Sequence, residues 1–327
     1  MSREVKFESA LGPYMEMLIS EKRALGYKYK TEEVTFLRFD KYWIKHCKNQ
    51  DDVNITQESL CEWMTRTPNQ SKSYHAQKVS TIRQLTVYMK SLGIRVYIPM
   101  DKVGKEKVMV HVFDRKEIKE LFDVIDRYSP SPLVPMNKYF SKEYPVIFRL
   151  ILTSGLRCGE ACSIRTEDID FDNKTILILN AKGNKDRLIY LSDDMHDCLK
   201  NYIHDLSEIL GFYSYWLFPG KNPDTHISVC GLEQIFRKFC NQASFDKTCE
   251  KPPTIHCLRH TFVVMKINEW MAEERNVEVM LPYLSKYLGH KSPSETFYYY
   301  HMINEAFSSV RKIDTLADRV ISEVRRI

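Results

Sequence analysis

The chain has 327 residues, 43% hydrophobic and 28% charged with a net charge of +5, the composition of an ordinary globular protein long enough for two domains. No apolar run approaches the roughly 20 residues of a membrane span, and the start "MSREVKFESA" has no apolar leader, so the chain is expected in the cytoplasm. Nine cysteines, an odd number without a CxxC pair, argue against a disulfide framework or a zinc ribbon and read as reduced, mostly packed thiols.

Residues 1–100 read as a helical domain. "YMEMLISEKRALGYK" carries apolar residues at Tyr14, Met17, Leu18 and Leu25, "VTFLRFDKYWIKHC" at Val34, Leu37, Tyr42 and Ile44, and "VSTIRQLTVYMKSLG" at Val79, Ile82, Leu85 and Met89 before Gly93 stops it. Residues 1–110 hold 19 Lys and Arg against 13 Asp and Glu, so the positive charge lies here, where Lys22, Arg23, Tyr27, Lys28, Tyr29 and Lys30 interleave basic and aromatic side chains. Such a face suits a polyanion and equally a solvated helix. The proline, glycine and lysines around residues 101–112 mark a linker.

A second domain, 113–327, opens at "FDRKEIKELFDVI", where Asp114 and Glu117 have capping-box spacing. The proline-punctuated loop "SPSPLVP" precedes a buried helix, "YPVIFRLILTSGLRCGEACSI", which breaks near Gly155 and resumes. "KTILILN" at 174–180 and "RLIYLS" at 187–192 flank the turn "AKGNKD" as a β-hairpin, and after Pro219 the pattern returns to helix. The fold class is mainly α with a small β-hairpin or sheet, α+β.

Several polar residues interrupt this pattern. Arg157 follows the Gly155 break among apolar neighbours, with Glu160 three residues on as its natural ion-pair partner. "TIHCLRH" offers His256, Arg259 and His260; the two histidines have the spacing of a helical zinc pair, but the glutamate of HExxH is missing. Two arginines in separate buried-looking segments, with histidines, suit a phosphate better than a metal. "YLGHKSPSE" ends a helix at Gly289, leaves His290 in the break, and restarts with Ser292 as N-cap, Pro293 at the first position and Glu295 closing a capping box. The new helix carries Tyr298, Tyr299 and Tyr300, which point about 100° apart and cannot share one environment.

The ordered set "TSGLRCGE", a turn lysine in "AKGNKDR", "HCLRH", "LGH" and a following tyrosine resembles the tyrosine recombinase (phage integrase) family. The match spans residues 157 to 301. It implies a helical amino-terminal DNA-binding domain and a tyrosine-recombinase catalytic domain. By resemblance, Arg157 and Arg259 hold the scissile phosphate, Lys182 is the general acid, with Lys185 its rival, and His256 and His290 take the supporting positions. The family tyrosine falls nine residues after the LGH histidine and two before another histidine; both spacings select Tyr299.

The resemblance implies a site-specific DNA recombinase that forms a 3′-phosphotyrosyl intermediate. Lys182 would protonate the leaving 5′ oxygen and His256 would take or share the phenolic proton. Neither metal nor nucleotide cofactor is expected. The expected partners are double-stranded DNA carrying recombination sites, clamped between two lobes, and three further copies of the chain in a tetramer on two sites. The apolar stripe from Ala306 to Val324 reads either as a helix packed on its own domain or as one docked in trans on a neighbour. Alternatives are a type IB topoisomerase and a catalytically silent DNA-binding regulator.

Overall fold

The structure, a computed structural model, describes residues 6–46, 52–100, 110–131, 133, 137–181, 185–243, 252–290 and 292–300. The chain forms two compact units, Met1–Met109 and Val110–Ile327.

The first unit is helical: α1 (Gly12–Ala24), α2 (Lys30–His46), α3 (Gln57–Met64) and α4 (Lys72–Ser91). Its core joins Leu11, Met15 and Leu18 to Phe36, Phe39 and Trp43 and to Ile82, Leu85 and Met89. α1, α2 and α4 lie where the periodicity puts them and α3 is an addition to that reading, but α1 and α2 bury a different stripe from the expected one. Met17, Leu25 and Val34 are exposed, because Leu11, Met15, Leu18 and Ile19 form the tighter i, i+4, i+7, i+8 stripe and the aromatics of α2 fill the centre. Gly93, at φ +83°, supports the left-handed turn that ends α4. Residues 101–109, most of the expected linker, lie outside the described residues.

The second unit begins beside α5 (Arg115–Asp126), whose capping box is formed: Glu117 N donates to Asp114 Oδ1 at 2.8 Å and Asp114 N to Glu117 Oε2 at 2.9 Å. α6 (Asn137–Ser154) is the central helix. It buries Ile147, Phe148, Leu150 and Ile151 against α8 (Asp193–Leu210) and α10 (Ile255–Ala272). α6 ends at Gly155, at φ +65°, and the short α7 (Cys158–Cys162) follows.

The hairpin consists of β2 (Thr175–Ala181) and β3 (Lys185–Tyr190), antiparallel with Leu177 opposite Leu188 and Ile178 opposite Arg187. A two-residue strand, β1 (Ile169–Asp170), adds an edge that the sequence pattern does not show, since two residues carry no periodicity. Beyond Pro219 the chain first makes an antiparallel bridge to His226 before α9 (Val229–Gln242), so the return to helix is later than expected.

α11 (Val277–Leu288) packs on α10 through Phe262, Val263, Ile267, Leu281, Leu284 and Leu288, and Tyr299 completes this cluster. Residues 294–300 are helical. Ser292 starts them differently from the expected box: its Oγ accepts from Ser294 N at 3.3 Å, while Glu295 N bonds the Ser292 carbonyl at 3.1 Å. No helix among the described residues is long and apolar enough to cross a membrane.

Candidate active site

Two chain breaks build the site. At the first, Gly155 frees Arg157 from α6 and sets it at the N-cap of α7. A side chain at Gly155 would overlap Phe262 Cδ1 and stand 3.0 Å from Leu288 Cδ2, so glycine is required by close approach as well as by its φ. At the second, Gly289, at φ +65°, caps α11 and turns the chain into His290.

Arginines bridge the two breaks. Arg259, only 2% exposed, donates to Gly155 O at 2.7 Å and to Leu288 O at 2.8 Å. Arg157 donates to Gly289 O at 2.8 Å and to Glu160 Oε1 at 2.9 Å. A third arginine, Arg187 on β3, donates from Nε to Tyr287 O at 2.8 Å and grips Glu160 with both terminal nitrogens, at 3.0 and 2.7 Å. Three successive carbonyls at the end of α11, at 287, 288 and 289, thus each accept from a different guanidinium. These are acceptors that a helix cannot satisfy internally, at the negative end of its dipole.

No motif or spacing in the sequence assigns a role to Arg187. The available signal was an unpartnered charge inside a β-rich run, which reads equally as an exposed strand residue; its side chain is in fact 9% exposed.

The charges respond to this packing. Burial and the neighbouring Arg157 bring the Arg259 guanidinium down to about 10. Burial alone would raise the Glu160 carboxyl, but its bonds to Arg187 and Arg157 outweigh that and hold it at about 2. His290 donates its backbone N–H to Ser285 O at 3.0 Å, and its Nδ1 meets Thr296 Oγ1 at 2.7 Å. Burial, then Arg259 and Arg157, lower the imidazole to about 4.

The three tyrosines part as helical geometry requires. Tyr298 is 42% exposed, Tyr299 is 5% exposed, and Tyr300 is half-buried. Burial raises the Tyr299 phenol to about 12 against the opposing pull of Arg259. Its hydroxyl is bonded to Nδ1 of His260. His256, one turn earlier on α10, is exposed and packs edge-on to His260 with ring centroids 4.4 Å apart.

The structure therefore brings Arg157, His256, Arg259, His290 and Tyr299 to one place. Lys182 and the side chain of Lys185 lie outside the described residues.

Residues 111–305 match the model of the phage integrase family, and the chain belongs to it. It is 25% identical over 306 residues to y4rB of Sinorhizobium fredii, an integrase/recombinase by description, covering 90% of this chain and 92% of that protein. It is 24% identical to the tyrosine recombinase XerA of Saccharolobus solfataricus, over 78% of this chain and 77% of XerA. In fold it resembles the XerH site-specific recombinase, solved on palindromic difH DNA after cleavage, with a TM-score of 0.64 and 20% identity over 85% of this chain and 78% of that one. The chain is a site-specific DNA recombinase of the tyrosine class, mainly helical with a three-stranded antiparallel sheet.

Proposed function

We propose that the protein cleaves each DNA strand by attack of Tyr299 on the scissile phosphate, forming a 3′-phosphotyrosyl bond and releasing a 5′-hydroxyl. The observation that carries this is the placement of a single buried tyrosine of the triplet beside Arg259, in the chain that also holds Arg157 and His290 at the Gly289 cap. Cleavage is then in cis.

Arg157 and Arg259 stabilise the charge that builds on the non-bridging oxygens. Each keeps N–H groups beyond those given to carbonyls, since a guanidinium has five. His256, at the exposed mouth, and His290, held by Thr296, flank the phosphate. Lys182 protonates the departing 5′ oxygen. The bond energy stays in the phosphotyrosyl linkage, so a 5′-hydroxyl from another duplex reverses the step. Four protomers on two sites exchange strands in pairs; the apolar stripe from Ala306 to Val324, with its two readings, lies outside the described residues. For the biological setting we propose either a mobile element or the resolution of chromosome dimers; the relatives include both an integrase/recombinase by description and the recombinase XerA.

The test is a nicked substrate made from DNA flanking the gene, assayed for covalent adduct by denaturing gel in excess EDTA. An adduct lost in Y299F with DNA binding retained supports the reading. Adduct formation with relaxation of site-free plasmid would replace it with topoisomerase activity, and binding without any adduct would replace it with a silent regulator. Abolition by EDTA, restored by a divalent ion, would overturn the metal-free mechanism.

A further inference from the structure

The group that touches the nucleophile is one to which neither the motif nor the resemblance assigns a role. His260 Nδ1 is bonded to Tyr299 Oη, and the rings lie 5.4 Å apart at 42°. His260 is fixed from both sides along α10. Arg259 before it is tied to Gly155 and Leu288, and Thr261 after it accepts the Phe113 N–H at 2.9 Å and donates to Cys257 O at 2.8 Å. The imidazole therefore has little freedom to leave the phenol.

The direction of the bond follows from the two groups. Burial, then the neighbouring His256, Arg259 and His290, lower His260 to about 3, so it is neutral at physiological pH. The phenol, raised to about 12, keeps its proton. Tyr299 thus donates and Nδ1 accepts, which places the ring hydrogen on Nε2.

We infer that His260 is the proton acceptor for Tyr299, receiving the phenolic proton on Nδ1 as Oη bonds to phosphorus. This rests on Tyr299 being the nucleophile. The Oη–P bond forms, the P–O5′ bond breaks, the phenolic proton moves to His260 and the general acid supplies a proton to O5′. On religation His260 returns its proton to the departing phenolic oxygen.

A weak base suffices, because a phenol oxygen that is bonding to phosphorus becomes far more acidic than the free phenol. The incoming phosphodiester also offsets the positive field of Arg259 beside the ring, so His260 gains basicity only with DNA in place. His256, which the resemblance would use here, lies one turn nearer solvent, against the edge of the His260 ring. It serves the phosphate side instead.

Single-turnover cleavage of the nicked substrate tests this, with H260N and H256N compared across pH. H260N keeps an amide acceptor near the Nδ1 position but cannot take a proton. It should bind DNA normally, cleave roughly 10²- to 10³-fold more slowly, and accelerate with rising pH as the phenol must ionise unaided. Replacing Tyr299 by a more acidic fluorinated tyrosine should restore H260N toward the wild-type rate, a gain that a folding defect cannot imitate. Should H260N unfold, H260Q carries the same comparison. Wild-type rate and pH profile in H260N, or rescue by fluorotyrosine in H256N alone, would overturn the inference. An adduct that persists in Y299F would instead remove the reading on which it rests.

Discussion

Replacing Arg187 by methionine removes a buried cation that ties β3 to Glu160 and to the end of α11, and it should weaken the domain. The guanidinium makes two bonds to Glu160, at 3.0 and 2.7 Å, and one to Tyr287 O at 2.8 Å. The side chains of Arg187 and Glu160 are 9% and 10% exposed, so solvent screens the pair little. Methionine conserves most of the volume and leaves Glu160 with Arg157 alone. Removing one member of a buried ion pair costs about 3–5 kcal/mol. The depression of the Glu160 carboxyl to about 2 is of similar size, since one pKa unit is worth about 1.4 kcal/mol. For a unit of this size that corresponds to a Tm roughly 10 °C lower. The assay is urea unfolding at neutral pH for wild type, R187M, E160Q and the double variant. The double should lose clearly less than the singles together, with a coupling of about 2 kcal/mol or more. Because the folded-state carboxyl is depressed, its contribution is complete above about pH 4.5 and disappears as pH falls toward 2. Additive single losses, or an R187M loss below about 1 kcal/mol, would refute the claim that Arg187 and Glu160 form a strongly coupled buried pair.

Y298F and Y300F should each retain the covalent adduct on the nicked substrate, and loss in either would show a register slip within the triplet. Gly155→Ala should destabilise the second unit by about 2–4 kcal/mol, read by thermal unfolding, because a Cβ there meets Phe262 and the φ of +65° disfavours alanine. Both His260 and His290 are depressed in the folded state, to about 3 and about 4 from 6.5. Stability should therefore fall as pH drops below about 6.5 and level off only near those values, by at most about 1.4 kcal/mol per pH unit for each. H290N should flatten the slope, and an unchanged slope would show that His290 is not buried neutral. Lys182→Ala should cleave DNA with a 5′-bridging sulfur better than the oxygen substrate, since a thiolate leaves without a proton, whereas Arg157→Ala should not be rescued; rescue of Lys185→Ala alone would move the general acid to Lys185.

The helices and hairpin were legible because their signals are local: periodicity over α4, the Asp114–Glu117 box, and a turn between two β-rich runs. The burial faces of α1 and α2 were less so, since apolar residues outnumber the places in the core and only packing decides that Met15 goes in and Met17 stays out. Within the site, Arg157 and His290 stand at breaks in apolar segments and Arg259 is a charge inside a largely apolar helix, which a pattern can flag. Arg187 and His260 act through side-chain contacts 27 and 39 residues away in sequence, and no spacing rule encodes those. The N-cap expected at Ser292 differs for the opposite reason, a local one: the hydroxyl takes Ser294 N in place of Glu295 N, a choice of backbone geometry that residue type does not decide.

The three arginines that meet at the end of α11 take mostly neutral partners. Arg259 is held only by carbonyls among its hydrogen-bonded contacts described above, and Arg157 shares with Arg187 the single carboxylate of Glu160. Three positive groups against one negative leave the cluster with a surplus of two. An arriving phosphodiester therefore need not evict an anion from its seat. Nor must it freeze three long side chains, each of which gives up as much as about 2 kcal/mol of rotamer freedom when immobilised. That ordering is completed when the protein folds, and the last turn of one helix serves as the template on which the anion hole is cast before any DNA is present.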